Sequence, residues 1–595
     1  MFKTPIFPKK NIVSPIMLSL LIAFFQQLFG VSDVRAQPIP LDEQKWQFQR
    51  GDDMKWATPQ YNDQNWQKIV VGKSWEAALG ELYDGFAWYR RTVIVPKSQQ
   101  KAVCKYNQMV IRLGMIDDAD ETYFNGVKIG ATGKFPPESQ SAWDVQRVYF
   151  VPSELIKYDE PNTIAVRVAD WGGGGGLHAG EFSLEAVSWK DKCKIKIKNE
   201  SETDAFKSNT RISNFISIEN DSKQKIEGML RCELKTFAGK IVEVQEKKLK
   251  LHAKSKFSDL KFDFSPQPAG FYNWEVQLID DKKFATKANY GFAVEPENAV
   301  VAPNFPSNFD QFWSDARREL DSIAPKFRVV RKHEKSNLLV EVTEIEMISM
   351  GNKRIRGYYS RPKGKKNLPA LLRVQGYGSI MEPHDPQTDM AIFYLNIRGH
   401  GNSREDVNPG FPGFLLSGLD APETYIYRSA FMDCIRAVDF LAAQPEIDVE
   451  KIGVAGASQG GALSIVTAAL DNRIKFCQPD VPFLSDFPNY FKIARWPAEE
   501  FLEHAQTQNK SMEKIFEVLN YFDIKNFATR VRVPVFMGVG LFDDVCPPAI
   551  NFAAFNNMPS AKKTFCLHPT SGHSMPSEQY DKSMKWIREQ IKTLR

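Results

Sequence analysis

Residues 451–470 read K-I-G-V-A-G-A-S-Q-G-G-A-L-S-I-V-T-A-A-L, and the reading of this stretch decides the fold of the carboxyl-terminal half. An apolar, β-prone run at 452–455 meets Gly456, Ser458 and Gly460, and a helix-forming run follows at 462–470. That is strand, sharp turn, helix, with a serine at the apex and a glycine two residues to either side. A nucleophile elbow needs this arrangement: the serine backbone is strained, and side chains at the flanking positions would strike the strand and the helix. A bare G-x-S-x-G is a weak pattern in a chain with 36 glycines. An acid and a histidine at the right strand ends are what give it meaning.

Working outward, 297–595 alternates strands with helices, which predicts a mostly parallel sheet. Apolar strands are expected at 370–374, 392–397, 452–455, 533–539 and 564–567, with helices between them at 427–443 and 462–470. The run 533–539 leads into Gly540-Leu541-Phe542-Asp543-Asp544, which sets a carboxylate just past a buried strand. The run 564–567 leads into His568-Pro569-Thr570-Ser571-Gly572-His573. The order serine, acid, histidine is that of an α/β-hydrolase. Ser458 is inert until a histidine takes its proton, and the carboxylate fixes the imidazole tautomer and stabilises its charge. On spacing alone Asp543 and Asp544 are both open as the acid. His573, in a Ser-Gly loop able to swing over the elbow, is preferred to His568 at the strand's end. His400 precedes Ser458 and breaks the order.

This region resembles the acetyl xylan esterases and cephalosporin-C deacetylases from about Phe305 to Arg595. The motifs are Asn308-Phe309-Asp310-Gln311-Phe312-Trp313, Gly376-Tyr377-Gly378, Asn396-Ile397-Arg398-Gly399-His400-Gly401, Tyr425 to Arg428, G-A-S-Q-G-G at 456–461, Val481-Pro482-Phe483-Leu484, Tyr521-Phe522-Asp523, and G-L-F-D-D-V-C-P-P at 540–548. The family's triad acid opens D-x-x-x-P-P and so matches Asp543; its serine and histidine match Ser458 and His573. The resemblance also implies an oxyanion hole from the backbone N–H groups of Tyr377 and Gln459, the second of which the residue-after-the-nucleophile rule places independently. Two departures stand out: Gln375-Gly376-Tyr377-Gly378-Ser379 where the family commonly has His-Gly-Tyr-Asn-Gly, and R-G-H-G at 398–401 where it has R-G-Q-G. They alter the pocket wall near Tyr377.

Before this region lie two β-rich ones. Residues 37–190 hold eight of the twelve tryptophans and short alternating runs, with Asn125-Gly126 a strong hairpin signal. A jelly-roll β-sandwich is expected. It resembles the sugar-binding-like domain of the glycoside hydrolases that include β-galactosidases, through Tyr83-Asp84-Gly85, Ala87-Trp88-Tyr89-Arg90, Ile116-Asp117-Asp118-Ala119-Asp120 with Tyr123-Phe124-Asn125-Gly126, and the glycine run 172–176. Its tryptophans are expected mainly in the core, its acidic cluster Asp117, Asp118, Asp120 and Glu121 as a solvated turn rather than a calcium site, and the glycine run as a loop. Residues 191–296 alternate at 194–198, 212–219, 225–237, 240–250 and 271–279, as in an immunoglobulin-like sandwich; a spacer role is expected.

Residues 1–36 read as an export signal: Lys3, Lys9 and Lys10, an apolar segment at 16–25, and a small-residue site at Val34-Arg35-Ala36. The apolar run is half a spanning helix, so no stable membrane anchor is expected. Charge is balanced, with 77 basic and 72 acidic side chains, and no basic block suits nucleic acid. Seven cysteines cannot all pair, and no zinc-ligand spacing occurs. No metal or cofactor is implied.

Together these features predict an exported serine esterase, periplasmic or extracellular, that deacetylates O-acetylated oligo- or polysaccharides of the xylan type. Another acyl hydrolase or peptidase on the same fold, or a non-catalytic carbohydrate-binding surface protein, are the alternatives. The family's assemblies imply a homo-oligomer, which two amino-terminal domains would obstruct.

Overall fold

In the first region the strand Gln146–Pro152 buries every second side chain, with Arg147, Tyr149 and Val151 pointing inward and Gln146 and Val148 facing out, whereas the central strands Gly85–Ile94 and Pro161–Asp170 are buried on both faces along most of their length. The computed structural model describes residues 37–594 apart from 82, 137, 173, 281–284, 385 and 412; the expected export signal lies outside the described residues. A six-stranded antiparallel sheet (order Gln67–Ile69, Trp46–Arg50, Gly85–Ile94, Pro161–Asp170, Ala119–Phe124, Val127–Thr132) shares one core with a four-stranded one containing Gln108–Asp117 and Gly176–Ala186. Trp46 and Trp75 are buried there and Trp88 in a separate cluster with Trp66 and Tyr123, while Trp143 is left half-buried at the rim. Asn125 and Gly126, both with positive φ (49° and 84°), turn the expected hairpin, and Phe124 pairs with Val127.

The acidic cluster differs from its expectation. Asp120 is buried and paired with buried Arg147 at 2.9 Å, and Tyr149 Oη donates to it at 3.0 Å. Arg147 also donates to the carbonyls of Ala142, Val145 and, at 2.6 Å, Ile116. A guanidinium drawn into the sandwich neutralises the carboxylate, so the segment is interior and not a solvated turn.

The second region has a three-stranded sheet (Cys193–Asn199, Ile212–Asn220, Ser255–Phe264) and a five-stranded one (Ala205–Phe206, Ala285–Val294, Gly270–Asp280, Ile226–Thr236, Ile241–Leu251) around a separate core. Two of its strands escaped the apolar pattern: Ser255–Phe264, whose side chains are mostly exposed, and Ala285–Val294, whose first six residues alternate exposed and half-buried before four buried ones.

The third region is built on nine strands: β1 Arg328–Lys332, β2 Val340–Ser349, β3 Lys353–Pro362, β4 Leu368–Val374, β5 Ala391–Asn396, β6 Ile447–Ala457, β7 Ile474–Asp480, β8 Val535–Gly540 and β9 Lys563–His568. Their order is β1-β2-β3-β5-β4-β6-β7-β8-β9. Pairing is antiparallel from β1 through β3 to β5 and parallel from there on. The five apolar strands read from sequence correspond to β4, β5, β6, β8 and β9. Strand β7, interrupted by Lys475, Gln478 and Pro479, was not legible. Helix α1 (Ile426–Ala442) and helix α2 (Gln459–Leu470) pack on the sheet, and a helical insert (Phe487–Ile493, Ala498–Thr507, Met512–Leu519, Ile524–Ala528) intervenes between β7 and β8. Among the described residues no helix is long and apolar enough to cross a membrane, and all seven cysteines are free.

Candidate active site

Strand β6 delivers Ser458 to the start of α2 with φ 58° and ψ −122°. A non-glycine residue in that region costs of order 1–3 kcal/mol and persists only when its surroundings dictate it. Here Ser458 N donates to Asp480 O at 3.0 Å, and Phe483 N donates to Ser458 O at 3.1 Å. The flanking glycines are required by space. A Cβ at Gly456 would lie 2.6 Å from Val374 O, and one at Gly460 would lie 2.3 Å from the same atom.

Just past β8, Asp543 is fully buried, and its Oδ1 accepts from the N–H groups of Val545 (2.9 Å) and Cys546 (2.7 Å). Its Oδ2 lies 2.8 Å from His573 Nδ1, which must carry the proton of that bond. Asp544 points outward and is exposed. Burial raises the Asp543 carboxyl above its ordinary range, opposed by His573. Burial likewise disfavours the charged His573 ring, but the Asp543 carboxylate outweighs it and holds the imidazole well above the usual histidine range. His568 lies elsewhere: its Nε2 donates to Gln579 Oε1 at 2.9 Å.

Cys546 adds a group the sequence did not single out. Its buried Sγ lies 4.0 Å from Ser458 Oγ and contacts the His573 ring, and burial raises its thiol. Among the described residues no hydrogen bond joins Ser458 Oγ to His573 directly.

The loop after β4 arches over the elbow, with the site of a Gly376 Cβ 3.9 Å from Ser458 Cβ. Gln459 opens α2, so no preceding turn accepts its N–H; Tyr377 N–H likewise has no acceptor among the described residues. Buried His400 holds this loop from behind, its Nε2 3.4 Å from Gly378 N and 3.3 Å from Gln459 Nε2. Burial lowers His400 to about 3, so the ring is neutral and can accept. His400 thus buttresses the loop, and the Gln375 amide, in the orientation that satisfies both its neighbours, donates to Leu395 O at 2.7 Å and accepts from Ile397 N at 3.1 Å.

Tyr377 Oη donates to Glu500 Oε2 at 2.8 Å, and burial pushes that carboxyl up to about 7. Trp496 lies against Tyr377 with centroids 5.8 Å apart, and Trp143 of the first region lies 6.3 Å from Trp496 and 6.1 Å, edge-on, from His573. The rim of the site is therefore aromatic from the histidine round to the loop over the elbow.

Among the described residues two groups of side chains bring ligand-type atoms within 4.8 Å of one another: Asp543, Cys546 and His573, and Asp117, Asp118 and Asp170. The first is occupied by its own hydrogen bonds. In the second, burial first, then mutual repulsion, holds Asp117 and Asp170 well above the carboxylate range. Asp118 and Asp170 accept from the N–H groups of Trp171 and Gly172, each at 3.0 Å, and so shape the glycine-run loop. A separate cleft of about 720 Å³ between Asn304, Leu419 and Lys510 shares no residue with the site.

Residues 300–590 match the family described as acetyl xylan esterase (AXE1). The acetyl esterase Axe7A of Xylanibacter ruminicola is 28% identical over 337 residues, 53% of this chain and 74% of that protein. The acetyl xylan esterase from Paenibacillus sp. R4 aligns with 28% identity over 50% of this chain and 98% of that chain, at a TM-score of 0.47. A Bacteroides uniformis β-glucuronidase aligns over 85% of this chain and 53% of that chain at 13% identity and a TM-score of 0.32. Residues 300–590 of this chain belong to the acetyl xylan esterase family, a family of carboxylic ester hydrolases.

Proposed function

We propose that the chain is an exported serine carbohydrate esterase that removes acetyl groups from xylan-type saccharides. The observation that carries this reading is the convergence, at the ends of β6, β8 and β9, of a strained serine, a buried aspartate–histidine pair and two unengaged backbone N–H groups. In the reaction Ser458 Oγ attacks the ester carbonyl while His573 Nε2 takes its proton. Oγ and Nε2 come within about 3 Å in the substrate complex, where such contacts tighten. Asp543 keeps the proton on Nδ1 and stabilises the imidazolium. The N–H groups of Tyr377 and Gln459 receive the developing oxyanion, each such donor being worth about 3 kcal/mol of barrier. The sugar alkoxide leaves with the proton from His573, and water activated by the same ring then releases acetate.

The division that goes with this reading is a leader at 1–36, a jelly-roll sandwich at 37–190, an immunoglobulin-like sandwich at 191–296 and an α/β-hydrolase domain at 297–595. Ser458→Ala is expected to abolish acetate release from p-nitrophenyl acetate and from acetylated xylo-oligosaccharides while leaving the melting temperature close to wild type. Wild-type turnover by that variant would remove Ser458 from the mechanism.

A further inference from the structure

The loop that carries His573 is held from outside its own domain at both ends. Gly291 N of the second sandwich donates to Pro569 O at 2.7 Å. Asp144 Oδ2 of the first sandwich accepts from Ser574 N at 3.0 Å, across 430 residues of sequence. Trp143, beside Asp144, packs against the core of the third region and sets its indole edge against the His573 ring. His178 backs it, with Nε2 donating to Trp143 O at 2.9 Å. On the opposite side the first sandwich meets the loop over the elbow so closely that a Cβ at Gly172 would lie 2.8 Å from Gly378 O.

Building on the esterase reading, we propose that the first sandwich is part of the active site. Trp143, opposite Trp496, forms the aromatic face on which the acetylated sugar ring lies, and Asp144 is a positioning residue that fixes the His573 loop. The chemistry suits a pyranose. Its C–H face stacks on an indole, and two tryptophans set at 66° with centroids 6.3 Å apart offer one face each. Trp143 is only half-buried and Trp496 is 43% exposed, so both rings reach the opening. The first sandwich then acts at the ester itself, at the ring next to the acetyl group, and not as a remote tether to the polymer.

The test uses the full chain with p-nitrophenyl acetate and an acetylated xylotriose. Trp143→Ala is expected to lower the ratio of kcat/KM for the saccharide to kcat/KM for the nitrophenyl ester about tenfold, chiefly through a raised KM for the saccharide, with Trp143→Phe recovering much of it. Asp144→Ala is expected to lower kcat for both esters about tenfold and to leave the ratio alone; Asp144→Asn, which keeps an acceptor for Ser574 N–H, should recover most of the loss. An unchanged ratio in Trp143→Ala overturns the sugar-facing role, whether both activities fall together or neither does. Asp144→Ala at wild-type kcat, or Asp144→Asn as impaired as Asp144→Ala, overturns the positioning role. A wild type that cleaves the nitrophenyl ester but no acetylated saccharide overturns the sugar subsite while leaving Ser458 as nucleophile, and an active Ser458→Ala overturns the esterase mechanism itself.

Discussion

Asp543 and Asp544 are adjacent in sequence and opposite in fate. One is buried with its oxygens spent on two backbone N–H groups and an imidazole, the other is exposed. Asp543→Asn is expected to lower kcat by about a thousandfold or more, because the amide can donate to Nδ1 and favour the wrong tautomer. Asp544→Asn should stay within about twofold. Steady-state kinetics on p-nitrophenyl acetate separates them, and the reverse ranking would name the other carboxylate. The same pair sets the pH profile. The base must be neutral to take the serine proton, and the carboxylate makes the ring hold its own proton more tightly. Activity should therefore rise with pH through a midpoint above the ordinary 6.5 of histidine, and whatever activity Asp543→Asn retains should have a lower midpoint. The choice between the two aspartates was open from spacing and closed only by the family's D-x-x-x-P-P motif. Burial, which separates them physically, depends on the turn from 543 to 546, a matter of backbone hydrogen bonds that no periodicity records. Cys546 and Trp143 carried no signal of their role at all, since contacts made across 88 residues (Cys546 to Ser458) or 430 (Trp143 to His573) leave no trace in local pattern.

Among elements, the β6–α2 elbow was the most legible, because its constraint is local. Glycine is demanded at 456 and 460 by a neighbouring carbonyl, and the serine between them is held at a positive φ against its own preference by the tight turn. Gly460→Ala is expected to destabilise the protein by about 1–3 kcal/mol, read as a lower denaturation midpoint, and to cost more activity than stability, because the backbone that must yield includes the Gln459 N–H. Full activity in that variant would mean that strand β4 can retreat from the elbow. The last loop was the least legible element. Ser571-Gly572 reads as freedom, and in isolation it would be. The structure instead bonds Pro569 and Ser574 to two other domains. Local composition describes what a segment can do alone and is silent about what holds it.

At the scale of the molecule, three cores meet around one site. The division into two β-rich regions and a parallel-sheet region followed from the change of period near residue 300, but their mutual contacts did not. The second region, expected as a spacer, places Phe271 5.4 Å from Phe552 in the core of the third. The first region's contribution depends on Arg147, which braces the 142–145 segment from inside the sandwich through Asp120 and two of that segment's carbonyls. Arg147→Met is expected to cost about 3–5 kcal/mol, since it strands a buried carboxylate. Its activity should fall at temperatures where the far-ultraviolet signal of the chain is still intact, because the loop bearing Trp143 and Asp144 loosens before the sandwich melts. Coincident loss of activity and of secondary structure would show that the loop does not depend on this pair.

The double anchoring of the His573 loop has a consequence for the life of the chain. His573 belongs to the third region, yet groups that hold its loop come from the first two. The two bonds that hold this loop therefore form only when the first two regions are docked on the third. Docking and hydrolysis are then coupled by degree: on the roughly tenfold effect expected of Asp144→Ala, a third region that folds without its neighbours should keep a weakened activity, and its rate would measure how well the three regions are joined.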